Sequence, residues 1–426
     1  RLKEENQLDP ESVLVIVPST LITNWYHEIN KFAPHLSINI YHGQDRKLGI
    51  NSHEIIITTY SLARIDRKKL NRKNWQIIIS DETQKIKNPS SRQTKAVKSL
   101  NAKNKIAMTG TPVENRLMDY WSIFDFIMEN FLGPRSKFKY NFAIPIERYR
   151  DRKKLEEFRN ITAPFILRRT KTDPKVIDDL PEKMELDEYT SLKQKQAALY
   201  QKIIDETRDK LTQARDIDRK GQIFKLLNSL KQVCNHPSQY LGEEGGDPDE
   251  SGKSELLIEL LNKIFDRHEK ALIFTQYVQM GNLLVKMLKE KYGFKPLFLH
   301  GSLNRKKRDK LINAFQNDPR KKIFILSLRA GGIGLNLTTA NHVIHYDLWW
   351  NPAVEDQATD RAFRIGQKKD VTSYRLITEG TFEERINDIL KRKKKLADMA
   401  VRSGEKWITE LSDEELHDLI KLDRNN

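Results

Sequence analysis

The chain has 426 residues, 75 Lys plus Arg against 59 Asp plus Glu, a net charge of +16, and one cysteine. That length allows two or three domains, each with its own core, and the basic excess points to a polyanionic partner without specifying a fold. The single Cys234 excludes a disulfide framework and fits a reducing compartment, and no apolar run reaches the roughly 20 residues a membrane span needs.

The opening stretch, Arg1 to Pro10, is polar and unlike a signal peptide; without an initiator Met the chain reads as a fragment or a processed protein. Short β-branched runs predict buried strands at Val13–Val17, Ile38–Tyr41, Ile55–Thr58, Ile77–Ser80 and Ile106–Thr109. They alternate with amphipathic helical stretches, which predicts an α/β architecture with parallel sheets. The fourth run, Trp75-Gln-Ile-Ile-Ile-Ser80, delivers Asp81-Glu82-Thr83-Gln84 at its carboxyl end, where parallel sheets place ligands. Two adjacent carboxylates there suit metal-assisted phosphoryl transfer, one holding Mg²⁺ and the other orienting the attacking water. Asp-Glu alone is a common pair. The fifth run ends in Met108-Thr109-Gly110-Thr111-Pro112, with Glu114-Asn115 beyond, and its hydroxyl residues can sense the carboxylate site.

From about Leu117 to Tyr240 the pattern turns almost wholly helical and very charged. Cys234-Asn-His236 lacks companion ligands and reads as a helix ending at Pro237 rather than as a zinc pair. The acidic, glycine-rich run Gly242 to Gly252 predicts a surface loop or hinge. Gly252-Lys253-Ser254 imitates a phosphate loop, but the position that must be glycine is Asp247 and no strand leads into it. It is a decoy.

A second series of runs, Ala271–Thr275, Lys295–Leu299, Ile323–Ser327, Val343–Tyr346 and Thr372–Leu376, predicts a second parallel sheet. Beyond it, Trp349-Trp350-Asn351-Pro352 leads into Gln357-Ala-Thr-Asp-Arg361-Ala-Phe-Arg364-Ile-Gly-Gln367, which reads as one helix. Positions three or four apart share a helix face, so Gln357, Arg361 and Arg364 are expected to point the same way. Two arginines so placed form paired planar cations suited to phosphate oxygens, although an isolated pair is ordinarily a solvated face. Trp349-Trp350 reads as packing rather than stacking on bases. The basic run Lys391-Arg-Lys-Lys-Lys395 is more often a solvated helix face than the wall of a DNA groove.

Taken in this order and spacing, the motifs resemble those of the SWI/SNF-like ATPases of helicase superfamily two. The matching segments are Val17-Pro18-Ser19-Thr20 with Asn24-Trp25, Thr58-Thr59-Tyr60, Asp81 to Gln84, Thr109 to Pro112, Phe165-Ile-Leu-Arg-Arg169, Gln232-Val-Cys-Asn-His-Pro237, Phe274-Thr275-Gln276-Tyr277, His300-Gly301, Ser327 to Leu337 and Gln357 to Gln367. The resemblance runs through Trp407-Ile-Thr-Glu-Leu near the end. Thr83 varies from the family's usual Ala or Gly and leaves both carboxylates intact.

The resemblance implies two RecA-like parallel-sheet lobes with helical insertions: lobe one over 1–116, insertions and linker over 117–252, lobe two over 253–395, and a C-terminal helical brace over 396–426. It implies an ATP-dependent motor that moves along double-stranded DNA, with ATP and Mg²⁺ as cofactors. Asp81 would coordinate Mg²⁺ and Glu82 would polarise the hydrolytic water. Arg361 and Arg364 would act as arginine fingers on the γ-phosphate, with Gln357 beside them. Gly332, Gly334 and Asn336 would lie against the nucleotide, small residues letting backbone amides approach closely. Ser19, Thr20, Thr58 and Thr59 from lobe one, and Thr275, Gln276, His300, Gly301 and Ser327 from lobe two, would contact nucleic-acid phosphates. Such donors read backbone, so binding is expected to be sequence-nonspecific.

DNA-bound proteins are the expected remodelling targets, in the nucleoid of a prokaryote or the nucleus of a eukaryote. A non-catalytic scaffold on a degenerate motor fold is one rival, opposed by intact Glu82, Arg361 and Arg364. A strand-separating helicase is the other, opposed by the insertions after Pro112 and around Phe165 to Pro237. The family's Gly-Lys-Thr phosphate loop is not found in the sequence. The chain is therefore expected to start after it, to leave lobe one's sheet with an unpaired edge, and to be inactive alone.

Overall fold

A computed structural model describes residues 13–48, 55–110, 117–149, 151–167, 180–213, 216–327, 335–349, 352–396 and 412–423. Their contacts divide into two units, one up to 167 and one from 180 onward.

The first unit is built on a five-stranded sheet of β1 (Val13–Val17), β2 (Ile38–Ile40), β3 (Ile55–Thr59), β4 (Trp75–Asp81) and β5 (Ala102–Met108), in the order β2-β3-β1-β4-β5. Every pairing is parallel. Parallel strands covered on both faces need apolar residues throughout rather than in alternation. β1 and β3 meet that need: Leu14, Ile16 and Ile56 are fully buried, in one core with Tyr60, Ala63, Val97 and Phe126 from the flanking segments. β5 differs. It runs from Ala102 rather than Ile106, and Ile106 and Met108 are 45% and 42% exposed instead of buried. Among the described residues β5 is an edge strand, with β4 as its one neighbour, so its apolar side chains have fewer partners. The helical residues 117–165 form a satellite core around Leu117, Trp121, Phe138 and Phe158, and Phe165 meets Phe131 edge to face at 4.9 Å.

The second unit holds a six-stranded parallel sheet of β6 (Lys183–Thr190), β7 (Ala271–Thr275), β8 (Leu297–Leu299), β9 (Ile323–Ser327), β10 (His342–His345) and β11 (Val371–Thr378), in the order β6-β11-β10-β7-β9-β8. β6 is a strand within the middle of the chain that the sequence pattern predicts to be almost wholly helical. Its sequence, Lys-Met-Glu-Leu-Asp-Glu-Tyr-Thr, is too charged to register as a buried run. It is an edge strand, where charge is tolerated and discourages further pairing. Asp187 of β6 stands opposite Arg375 of β11 and accepts its Nη1 at 2.9 Å. The long helices Gln194–Gln213 and Asp216–Asn235 pack with Phe382–Leu396 and Asp413–Ile420 around Tyr200, Leu230 and Phe382. The helical stretch of the middle thus contributes to both units.

Candidate active site and nucleic-acid interface

In the first unit the carboxyl ends of four adjacent strands carry the predicted motifs. β1 leads to Ser19-Thr20, β3 ends in Thr58-Thr59, β4 ends in Asp81, and β5 leads to Thr109. Register sets Val17 beside Thr59 and Asp81 beside Met108. The motifs are wired together by side chains. Trp25, on the helix Ile22–Phe32, donates its indole N–H to Asp81 Oδ2 at 2.9 Å. The Glu82 amide donates to Asp81 Oδ1 at 2.8 Å. Tyr60 donates its hydroxyl to the Asp81 carbonyl at 2.5 Å and lies 2.8 Å from Ser80 Oγ; burial raises the Tyr60 phenol well above its ordinary value, so it stays a donor. Glu82 itself is left-handed at φ 52°, a region that side chains with a Cβ rarely adopt outside turns and functional sites. Gln84 Nε2 holds its Oε2 at 3.0 Å.

This geometry fits a hard divalent cation. Each Asp81 oxygen accepts one hydrogen bond and keeps further lone-pair capacity, and Mg²⁺ takes oxygen donors from one or two carboxylates.

The residues of this unit expected to contact nucleic acid fall into two classes. Ser19 is exposed and Thr20 half-buried on a short 3₁₀ turn. Thr58 is fully buried and donates to the Tyr41 carbonyl at 3.1 Å. Thr59 caps the helix Tyr60–Ile65, its Oγ1 accepting the Leu62 amide at 3.2 Å.

In the second unit, Thr275 ends β7 and Ser327 ends β9, in register with each other; both are buried. Thr275 donates its hydroxyl to Asp347 Oδ2 at 2.5 Å. That proton is committed, so in this arrangement Thr275 shapes its loop rather than offering a surface donor. The Gln276 amide also donates to Asp347, at 2.9 and 3.1 Å, and its Nε2 donates to the Leu348 carbonyl at 2.6 Å. Asn235 and Lys231, on the helix Asp216–Asn235, reach the same two residues. Asp347 is fully buried and burial raises its carboxyl. The sequence reading missed it; the available signal was a carboxylate just beyond the carboxyl end of a buried parallel strand, the same signal that marks Asp81. His300 Nδ1 lies 2.7 Å from Ser302 Oγ. Gly301 is exposed and its carbonyl accepts Arg308 Nη2 at 2.9 Å.

The arginine segment departs from the expected single helix. The helix is Pro352–Thr359, and residues 360–366 form turns. The reason lies in where the backbone bonds go. Arg361 gives its carbonyl to the Leu337 amide at 2.9 Å, and Gly366 turns the chain at φ 98°. Gln367, buried, donates to the Ala340 and Ala362 carbonyls and accepts the Lys368 and Lys369 amides. Arg361 is 6% exposed. Arg364 is half-buried and its Nη1 reaches the Leu335 carbonyl at 3.3 Å. Gln357 stays on the helix and Asn336 is exposed. Gly332, Gly334, Thr111, Pro112, Trp350 and Arg169 lie outside the described residues, as do the side chains of Arg392 to Lys395; Lys391 pairs with Asp187 at 2.6 Å. Lys253 does not face a ligand: fully buried, it pairs with Glu383 at 2.7 Å.

A family model described as the SNF2-related domain matches residues 1–239, and one described as the helicase conserved C-terminal domain matches 252–366. YwqA of Bacillus subtilis, whose name includes the words ATP-dependent helicase/translocase, is 44% identical over 417 residues, covering 96% of this chain and 45% of that protein. The human SWI/SNF-related matrix-associated actin-dependent regulator of chromatin subfamily A member 1 is 33% identical over 433 residues, 97% of this chain and 41% of that protein. The Sulfolobus solfataricus SWI2/SNF2 ATPase core solved with double-stranded DNA is 41% identical, with a TM-score of 0.52, covering 99% of this chain and 88% of that one. The chain thus spans under half the length of these curated relatives. With two all-parallel sheets, matched motifs and this similarity, it belongs to the SNF2-related family and carries the two RecA-like lobes of the SWI2/SNF2 ATPase core.

Proposed function

We propose that this chain belongs to the motor of a DNA-dependent ATPase that moves along duplex DNA without separating its strands. One observation carries the reading: Asp81 is hydrogen-bonded directly to two side chains of the motifs that face nucleic acid in this reading, its carboxylate to the Trp25 indole and its backbone carbonyl to the Tyr60 hydroxyl. Asp81 would hold Mg²⁺, which when bound neutralises phosphate charge. Glu82, steadied by Gln84, orients the attacking water. Arg361 and Arg364 place positive charge against the phosphoryl group in the transition state. Ser19, Thr20, Thr59, His300 and Gly301 supply backbone-reading contacts, buried Thr58, Thr275 and Ser327 shape the loops that carry them, and proteins bound to the DNA are the targets displaced.

The test is ATP turnover with duplex DNA, single-stranded DNA and RNA, at several salt concentrations. Duplex DNA is expected to stimulate most and to bind more weakly as salt rises, because neutralised phosphates release counterions. An ATP-dependent release of a third strand from a triplex, with little unwinding of a forked duplex, is the expected sign of translocation. Equal stimulation by RNA, or efficient unwinding of the fork, overturns the reading.

A further inference from the structure

Thr83 follows the Asp81-Glu82 carboxylates directly, and its side chain is fully buried. Its Oγ1 lies 2.7 Å from the Ser80 carbonyl and 2.9 Å from the Met108 carbonyl. A hydroxyl has one proton. It is shared between the last turn of β4, which carries Asp81 and Glu82, and the end of β5, which leads to Thr109 and Gly110. Neither Ala nor Gly can make this bridge.

The ladder between the two strands pairs Asp81 with Met108 at its end. Beyond that point the backbones separate, and Glu82 takes its left-handed conformation. Thr83 supplies a hydrogen bond across this gap, one residue from the carboxylate of Glu82. On the far side of β4, Tyr60 grips the Asp81 carbonyl and Ser80. The turn is thus held from both flanks, from β3 through Tyr60 and from β5 through Thr83.

We infer that Thr83 is a positioning residue of this protein: its hydroxyl ties the Asp81-Glu82 turn to the Thr109-Gly110 segment, so that displacement of either strand end moves the other. The inference rests on the ATPase reading above. It predicts an effect on the chemical step and not on nucleotide binding, since Thr83 is buried and cannot touch a ligand.

The test uses Thr83→Val, which keeps shape and loses the donor, with Thr83→Ala and Thr83→Ser, in the full-length protein. Duplex-stimulated kcat should fall about tenfold in T83V and T83A, the rate equivalent of one hydrogen bond. KM for ATP should not change, and T83S should recover most of the rate. A loss of fold alone would not be rescued by Ser while leaving KM fixed. In the same proteins without nucleotide, T83V should speed amide hydrogen exchange of Thr109 and Gly110 about tenfold. Wild-type protein that is stimulated by DNA, beside a T83V of equal kcat, overturns the inference and leaves the functional reading standing. If wild-type protein shows no stimulation, the functional reading fails instead. The exchange measurement then decides the bridge alone: unchanged exchange in T83V overturns it.

Discussion

Asp347 accepts the Thr275 hydroxyl at 2.5 Å, and both residues are fully buried. The same carboxylate takes the Gln276 amide and lies within reach of Asn235, so one acceptor organises a whole loop. Buried donors that lose their acceptor are costly. Asp347→Ala should destabilise the second unit by about 3 kcal/mol, because several donors lose their acceptor at once and the buried Lys231 cation, held by the Leu348 carbonyl, loses a nearby opposite charge. Thr275→Val, which removes one donor and leaves the others, should cost about 1 kcal/mol. Urea unfolding midpoints check both; equal midpoints for D347A and wild type would remove Asp347 as the organising group.

Glu82→Gln keeps the shape of the side chain and the contact with Gln84, and removes the charge. It should bind ATP normally and turn over negligibly. Arg364→Ala should lower kcat by roughly 10³–10⁵, the range for arginines that stabilise transferred phosphoryl groups. Arg364 is the better probe of the two arginines because Arg361 is 6% exposed, so its removal also disturbs packing. Near-normal turnover of either variant with ATP and DNA saturating would show that the assigned role is wrong.

Lys253 and Glu383 form a buried ion pair at 2.7 Å. Lys253→Ala leaves the Glu383 charge unpaired inside the fold, which costs about 3–5 kcal/mol. Joint replacement by Met and Leu should recover most of that loss, since apolar groups of similar volume often substitute well for such pairs. ATP affinity should be unchanged in the double variant. A selective loss of nucleotide binding with full stability would restore the phosphate-loop reading of Gly252-Lys253-Ser254.

Glu269 sits before β7, where burial alone would raise its carboxyl. Hydrogen bonds from Lys369, His342 and Asn341 outweigh that and hold it at about 2. His342 is pushed down by burial and is neutral near pH 7, its Nε2–H donating to Glu269 at 2.6 Å. A carboxyl depressed in the folded state stabilises above its unfolded value of about 4.3, and that contribution is lost as pH falls toward 2. Stability of the wild-type protein should therefore drop through this window more steeply than that of Glu269→Gln. Parallel acid-unfolding curves would show that the cluster contributes nothing.

Several elements were determined by the sequence alone. β1, β7 and β9 occupy the residues their β-branched runs predict, because an unbroken apolar stretch of about five residues between turn signals has few other stable uses. Asp81 and Glu82 were legible for a related reason: a carboxylate at the carboxyl end of such a strand is placed by the strand itself. What only the tertiary structure decided were features set by partners far away in sequence. β6 is a strand because β11 offers it an edge and Arg375 a counter-charge for Asp187, not because its own residues favour burial. The turn at 360–366 displaces a helix of plausible local pattern because Leu337 takes the Arg361 carbonyl bond. Lys231 and Asn235 reach Leu348 and Asp347 across more than a hundred residues, and Thr83 meets Met108 only where two strands end side by side. Local periodicity records which face of a segment is apolar; it holds no record of which distant donor or acceptor that segment will meet.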